Sequence, residues 1–219
     1  MAALILLPLF AAAMAGFFWS TKAARKLSIE LNESTEQLRS AHIKFGEELG
    51  EAQRMAITDG LTSIWNHRYF KLQFEQELER AGRFGRPFSL IMLDVDDFKK
   101  FNDTYGHRVG DFVLVELTRR INGIIRDADI FARYGGEEFA LMLPETNAAG
   151  GLATAEKIRR IIGGQPFEGE VTPEPLAVTV SLGVACSPEA GKDEDALFEA
   201  ADKALLKAKA EGKNRVVLA

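Results

Sequence analysis

The run Arg133-Tyr134-Gly135-Gly136-Glu137-Glu138-Phe139-Ala140 decides how the rest of the chain is read. Short apolar segments flank it, Ile130-Phe131-Ala132 before and Phe139 to Leu143 after. Two glycines between such segments predict a tight two-residue hairpin, because both central positions of that turn want a positive φ angle. Glu137 and Glu138 leave the turn together. Like charges this close repel unless a cation lies between them, which points to a metal. The bland alternative is a solvated hairpin tip with two surface glutamates. A second acidic cluster upstream shifts the balance toward the metal.

That cluster closes a strand. Gly85-Arg86-Pro87 marks a turn, and Phe88-Ser89-Leu90-Ile91-Met92-Leu93 is short, apolar and bounded, the pattern of a buried strand. It ends in Asp94-Val95-Asp96-Asp97. Carboxylates at the carboxyl end of a central strand project past the core edge, where sheets build ligand sites. Asp94 and Glu137, with the Val95 carbonyl beside them, form a hard-oxygen set that suits magnesium, which fills its shell with water and phosphate oxygens. Asp97-Phe98-Lys99 leads into a helix whose first N–H groups can hold a phosphate. Lys99, Lys209 and Lys213 offer cations to a triphosphate, the last two sharing a face if the final helix runs that far. Taken singly, each is an ordinary surface lysine.

Helices and strands interleave around these clusters. A helix is predicted over 64–80, with Asp59 placed to cap it, then a short one from Phe98 closed by Gly106. A longer helix over 109–125 carries Phe112, Val115, Leu117, Ile121 and Ile124 as its apolar face. Helices over 147–162 and 193–210 and strands over 176–185 and 214–218 complete the pattern, with Val178, Val180 and Val184 alternating in the first of those strands. The expected architecture is a mixed α/β layer fold.

Residues 1–19 contain no charged side chain, and Lys22, Arg25 and Lys26 follow. This predicts a single-pass membrane anchor over 1–20 with everything after it in the cytoplasm, at the inner membrane. A cleaved signal peptide is the competing reading, given Ala11-Ala12-Ala13, but such peptides carry a basic residue ahead of the apolar run. Over 21–57, Leu31, Leu38, Phe45 and Ala52 recur every seven residues, with Leu27 and Met55 in the same register and Ser34 and Glu48 interrupting it. That stripe makes either a parallel coiled coil pairing two copies or an amphipathic helix against its own domain. The main domain is placed at 58–219. A net charge of -5 argues against general nucleic-acid binding. The one cysteine, Cys186, excludes an internal disulfide and suits a reducing compartment.

Several ordered motifs carry a family resemblance: Asp59-Gly60-Leu61-Thr62 with Asn66 and Arg68, Leu93-Asp94-Val95-Asp96, and Phe98-Lys99-Lys100-Phe101-Asn102-Asp103. Gly106-His107 with Gly110-Asp111, the opening run, Val180-Ser181-Leu182-Gly183-Val184 and Ala201-Asp202-Lys203-Ala204-Leu205 follow in order. From about residue 56 onward the chain resembles the GGDEF family of diguanylate cyclases, in its Gly-Gly-Glu-Glu-Phe form. The resemblance implies a nucleotidyl-cyclase or palm-like α/β (α+β) fold, a mixed sheet flanked by helices. It implies condensation of two GTP molecules into cyclic di-GMP with release of pyrophosphate, one GTP on each subunit of a homodimer.

By that likeness Asp94, the Val95 carbonyl and Glu137 bind Mg2+ or Mn2+, with Glu138 close by. Glu137 is the implied proton acceptor, and Lys99 stabilises the phosphoryl group in the transition state with Lys209, Lys213 and the amides around Phe98. Asn102 and Asp111 resemble a guanine-reading pair with His107 near; helix capping around Gly106 and Gly110 is the other reading. Arg126 and Asp129 match an Arg-x-x-Asp product-inhibition site that Lys157 assists, a simple salt bridge being the alternative. Lys213, Leu206 and His67 depart from the commoner family residues without removing a metal ligand or base-reading group. The alternative function is an inactive sensor that binds GTP or cyclic di-GMP.

If the stalk holds two catalytic domains together, deleting residues 1–55 lowers activity and makes it depend on protein concentration. A dilution series in a GTP turnover assay checks this; full activity at nanomolar protein contradicts it.

Overall fold

The computed structural model describes residues 14, 17, 19–22, 24–27, 30, 34–45 and 56–219. The chain divides into two compact units, Met1–Arg54 and Met55–Ala219. In the first, every described residue is helical, and Leu27, Leu38, Ile43 and Phe45 are exposed. Leu31, Ala52 and Met55 of the heptad stripe lie outside the described residues, as do residues 1–13, which make up most of the expected anchor. Among the described residues no helix is long and apolar enough to cross a membrane.

The second unit runs β1 (Trp65–Asn66), α1 (His67–Phe84), β2 (Phe88–Val95), α2 (Phe98–Tyr105), α3 (His107–Asn122), β3 (Ile130–Arg133) and β4 (Glu138–Leu143). It continues with α4 (Ala148–Gly164), β5 (Val180–Ser187), α5 (Glu194–Ala210) and β6 (Val216–Leu218). The strands form one mixed sheet in the order β1-β3-β4-β2-β5-β6. β2 lies between two antiparallel partners, β4 and β5, while β1 with β3 and β5 with β6 pair parallel.

Alternation along β2 builds two cores. Ile91, Leu93 and Val95 pack on one face with Val113, Leu117 and Ile121 of α3 and Ile158 and Ile162 of α4. Phe88, Leu90 and Met92 pack on the other with Phe70 and Phe74 of α1 and Leu197, Ala201 and Leu205 of α5. Every residue of β2 and of β5 is buried, as a central strand covered on both faces requires. Edge-to-face rings, Phe74 on Phe88 with centroids 5.4 Å apart, tie α1 to the sheet.

Several local expectations are corrected. The helix expected from residue 64 begins at His67, because Trp65 and Asn66 pair with β3 and the Asn66 side chain caps the helix by accepting from Tyr69 N at 3.0 Å. Asp59 caps no helix; it closes a turn by accepting from Thr62 N at 2.9 Å and Thr62 Oγ1 at 2.7 Å. On α3 the inward stripe includes Val109, Val113 and Leu114 as well as Leu117 and Ile121, while Val115 is exposed. β5 starts at Val180, and Leu176 instead makes an isolated bridge to Phe167.

The Gly-Gly hairpin also differs. Gly135 and Gly136 are absent from the positive-φ residues, and β3 and β4 are joined by a loop over 134–137. Tyr134 N and Gly135 N both donate to Glu138 O, at 2.9 and 3.1 Å. Arg133 donates from Nε and Nη2 to Gly136 O, at 3.0 and 2.7 Å. The guanidinium fork, rather than left-handed glycines, fixes the loop. Room is still needed at Gly135, where a Cβ would stand 2.7 Å from Glu138 Oε2.

Gly183 sets the distance between β5 and α5. A Cβ there would lie 2.1 Å from Ala201 O and 2.4 Å from Leu205 N, both rigid helix backbone. Gly183→Ala therefore pushes α5 off the sheet and is expected to cost at least the ~1–3 kcal/mol typical of overpacking. Urea unfolding measures this directly, and an unchanged midpoint contradicts it.

Candidate active site

The functional side chains gather where β2 ends. Asp94 is 6% exposed and sits opposite Glu138 in the β2–β4 register, one residue after Glu137 leaves the loop. Val95 N donates to Glu137 O at 3.3 Å, which fastens the loop to the strand end. Asp94, Val95 and Glu137, with Asp96, Asp97, Phe98, Lys99, Lys100, Asp103, Lys209 and Lys213, surround a cleft of about 390 Å³. Acids from a strand terminus and a hairpin thus meet cations from a helix start and the last turn of the chain.

Electrostatics in the cleft are poised. Burial pushes the Asp94 carboxyl above its ordinary value, Lys209 Nζ at 2.8 Å pulls it back, and the charges of Glu137 and Glu138 push it up again. Asp97 pairs with Lys213 at 2.6 Å, and that contact holds the Asp97 carboxyl below its ordinary range and the Lys213 amine above. Two of the candidate phosphate-binding lysines, Lys209 and Lys213, therefore rest on carboxylates. Asp97 precedes α2 in a left-handed conformation, φ 56, and gives no side-chain cap, so the first N–H groups of the helix keep their donor capacity.

Lys213 reaches the cleft by a route other than the expected helical face. α5 ends at Ala210, and Lys213 follows in a left-handed turn. Among the described residues no three carboxylate, imidazole or thiol groups form a ligand cage. Two carboxylates and a carbonyl fit a hard cation that keeps most of its own water or phosphate ligands. The half-compensated Asp94, buried beside two further acids, is the observation that favours such a cation here.

The cleft wall unites Asp94, Val95, Phe98, Lys99, Glu137, Lys209 and Lys213, but not the other predicted residues. Glu138 is exposed across from Asp94, and Asp202 feels its charge: burial and then Glu138 push the Asp202 carboxyl up. Asn102 lies on α2 and packs against α3, where a Cβ on Gly110 would stand 1.9 Å from Asn102 Oδ1. That oxygen is buried with no hydrogen-bond partner, and α3 starts at Gly106 without a side-chain cap. The capping reading of Asn102 and Asp111 therefore fails. Asp111 and His107 stand exposed in the first turns of α3.

Arg126, Asp129 and Lys157 lie outside that cleft. Asp129, 9% exposed, accepts from the backbone N of Arg126 at 2.8 Å, leaving Arg126 exposed, and Lys157 Nζ donates to Ile124 O at 3.3 Å. Arg126 lines two clefts, one of about 380 Å³ with Asp129 and Trp65 and one of about 490 Å³ with Arg80 and Glu145.

Arg133 and Arg80 carry contacts that the motifs do not announce. Arg133 links Asp59, at 3.1 Å, to the loop carrying Glu137, and its place directly before Tyr-Gly-Gly was the available signal. Arg80 offered none beyond an unremarkable helical position.

Three comparisons place these features among known proteins. Residues 56–215 match the family described as "Diguanylate cyclase, GGDEF domain". The response regulator PleD of Caulobacter vibrioides is 39% identical over 192 residues, 88% of this chain and 41% of that protein. Diguanylate cyclase DgcP of Pseudomonas aeruginosa is 38% identical over 175 residues, 80% of this chain and 26% of the relative. The chain thus spans well under half the length of these curated relatives. Among solved structures, the coiled coil and GGDEF domain of DgcB from Caulobacter crescentus, in complex with c-di-GMP, matches with a TM-score of 0.76 at 34% identity. That match covers 88% of this chain and 99% of the DgcB chain. The match over residues 56–215, on a sheet that sets a buried aspartate against a Gly-Gly-Glu-Glu loop, makes this chain a member of the GGDEF diguanylate cyclase family.

Proposed function

We propose that the chain is a diguanylate cyclase that condenses two GTP molecules into cyclic di-GMP and releases pyrophosphate. One observation carries the proposal: a nearly buried Asp94 held beside Glu137 and Glu138, with Lys209 as its only ion-pair partner among the described residues, in a cleft rimmed by Lys99 and Lys213.

Asp94, the Val95 carbonyl and Glu137 are the residues that would hold Mg2+ or Mn2+. Bound there, the cation supplies Lewis-acid polarisation of the phosphate and favours deprotonation of the attacking 3′-hydroxyl. The chain's own groups do the positioning. Lys209 and Lys213 leave Asp94 and Asp97 for the phosphates of GTP, joined by the N–H groups at the start of α2 beside Phe98. Lys99 faces the phosphoryl group as charge develops on it. Glu137 takes the 3′-hydroxyl proton. Asn102 and Asp111 read the guanine edge near His107; the carboxylate accepts from guanine N–H groups that adenine lacks.

Each copy holds one nucleotide, so the phosphodiester bonds form between two facing copies. Exposed Leu27, Leu38 and Phe45 in the N-terminal segment support pairing through it, and the uncharged run over 1–20 supports membrane attachment. Cyclic di-GMP returns as an inhibitor at Arg126 and Asp129, with Lys157 beside them. Arg126 is free to offer its fork to a guanine because Asp129 is engaged by backbone instead.

GTP turnover with product identification by chromatography tests the reading. Wild-type protein yields cyclic di-GMP, Glu137→Gln lowers kcat by about 10²-fold or more, and Arg126→Ala retains the initial rate but loses the slowdown as product accumulates. Nucleotide binding without turnover at any metal concentration would favour the sensor reading.

Asp94 adds a stability test with the opposite sign. Its carboxyl titrates above the ordinary 3.8, so the folded state binds the proton more tightly than the unfolded chain. Its contribution therefore falls as pH rises from the unfolded value through the higher folded one, and stays low above that. Asp94→Asn is expected to abolish turnover yet raise the metal-free Tm near pH 7. The gain should vanish below about pH 4. A lower Tm at pH 7 contradicts it.

A further inference from the structure

The segment that presents Lys213 is an unusual one. Gly212, Lys213 and Asn214 all lie at positive φ, at 114°, 61° and 46°. Glycine and asparagine visit that region readily, but lysine rarely does. Lys213 N donates to Ala208 O at 3.1 Å, so the chain doubles back over the end of α5 before β6 begins. A run of left-handed residues persists only where its surroundings over-determine it.

Asp96 is what holds it. Asp96 Oδ2 accepts from the backbone N of Asn214 at 3.0 Å and from Thr179 Oγ1 at 2.7 Å, and Asp96 Oδ1 accepts from Ser181 Oγ at 2.6 Å. Asp96 N donates to Thr179 O at 3.0 Å, so strand β2, the entry to β5 and the final turn meet at this one side chain. Arg159 Nη1 donates to Asn214 Oδ1 at 3.1 Å from the far side. With its oxygens committed to three donors, Asp96 is poorly placed to serve as a further cation ligand, although it lines the cleft two residues after Asp94.

We propose that Asp96 is a positioning residue for nucleotide binding: by pinning Asn214 N it locks the left-handed turn that aims Lys213 into the cleft. The inference rests on the reading of Lys213 as a phosphate contact. It assigns Asp96 a hydrogen-bonding duty in place of the metal-binding duty that an acidic run suggests. Geometry rather than charge is what matters. An asparagine at 96 can put its carbonyl oxygen where Oδ2 accepts and donate from its amide to the Ser181 hydroxyl, which can turn to accept.

The test uses the full chain, with KM for GTP and kcat measured for wild type, Asp96→Ala, Asp96→Asn, Lys213→Ala and the Asp96→Ala/Lys213→Ala double variant. Asp96→Ala is expected to raise KM about tenfold, matching Lys213→Ala, with kcat within about twofold. The double variant should be no worse than Lys213→Ala, since both remove one contact, while Asp96→Asn stays within about threefold of wild type. Asp96→Asn as inactive as Asp94→Asn would overturn the proposal, because charge would then be required. Multiplying KM effects in the double variant would also overturn it. If Asp96→Ala does not fold, Asp96→Ser, which keeps one polar oxygen but cannot serve all three donors, is expected to raise KM; an unchanged KM counts against the idea. Should wild type not turn over GTP, the cyclase reading fails by itself, and Kd for a non-hydrolysable GTP analogue across the same variants still decides the role of Asp96.

Discussion

Everything in this domain depends on keeping one carboxylate where carboxylates are least comfortable. Asp94 terminates a strand whose every residue is buried, with two glutamates coupled to it and one lysine in contact. Burial disfavours its ionised form and Lys209 recovers only part of that cost, so the site is held in place by the rest of the fold. The two cores on either face of β2 provide that hold. They fix the strand end as a rigid platform, and Val95 N ties the Glu137 loop to it.

Close backbone approach is the means by which distant segments reach this platform. Gly183 lets α5 lie against β5, which brings Lys209 to Asp94, and Gly110 makes room for the Asn102 amide between α2 and α3. Both glycines belong to motifs in which charged neighbours draw the eye, yet their contribution is the space a Cβ would fill. Arg120 does a related job at the opposite end of α3. It stacks over Phe167 at 4.0 Å and donates to the carbonyls of Gln165 and Pro166, while Glu116, pulled down to about 2 chiefly by its hydrogen bond from Arg119, anchors it.

Much of this was legible in the chain itself, because period-2 and period-3.6 patterns report burial directly. The strand ending at Asp94, the helix closed by Gly106 and the amphipathic α4 all follow from such patterns. What escaped was set by contacts distant in sequence. The loop at Gly135 and Gly136 is shaped by Arg133 gripping Gly136 O rather than by glycine φ angles, and no local rule distinguishes the two. The first turn expected of α1 became a strand because β3 offers it a partner. Spacing by four puts Lys209 and Lys213 on one face only if α5 runs that far; it ends at Ala210, and Lys213 lies in a left-handed turn whose Asn214 N donates to Asp96, over a hundred residues away.

The charge count of the cleft explains why nucleotide and cation belong together on the proposed reading. Its wall holds five acids, Asp94, Asp96, Asp97, Asp103 and Glu137, against four lysines, Lys99, Lys100, Lys209 and Lys213. Asp96 is satisfied by neutral donors, while Lys209 and Lys213 are engaged by Asp94 and Asp97. A triphosphate that draws these lysines away leaves Asp94 without its cation in a buried position, beside Glu137 and a new set of anionic oxygens. Such a cluster is unstable unless positive charge arrives with the phosphates. Phosphate alone should therefore bind weakly, and a cation alone must compete with Lys209 for Asp94. On that reading Lys209 and Lys213 would serve the phosphates, and Asp94 and Glu137 would hold the cation. On the proposed reading, the resting ion pairs would favour the metal-bound nucleotide over either component.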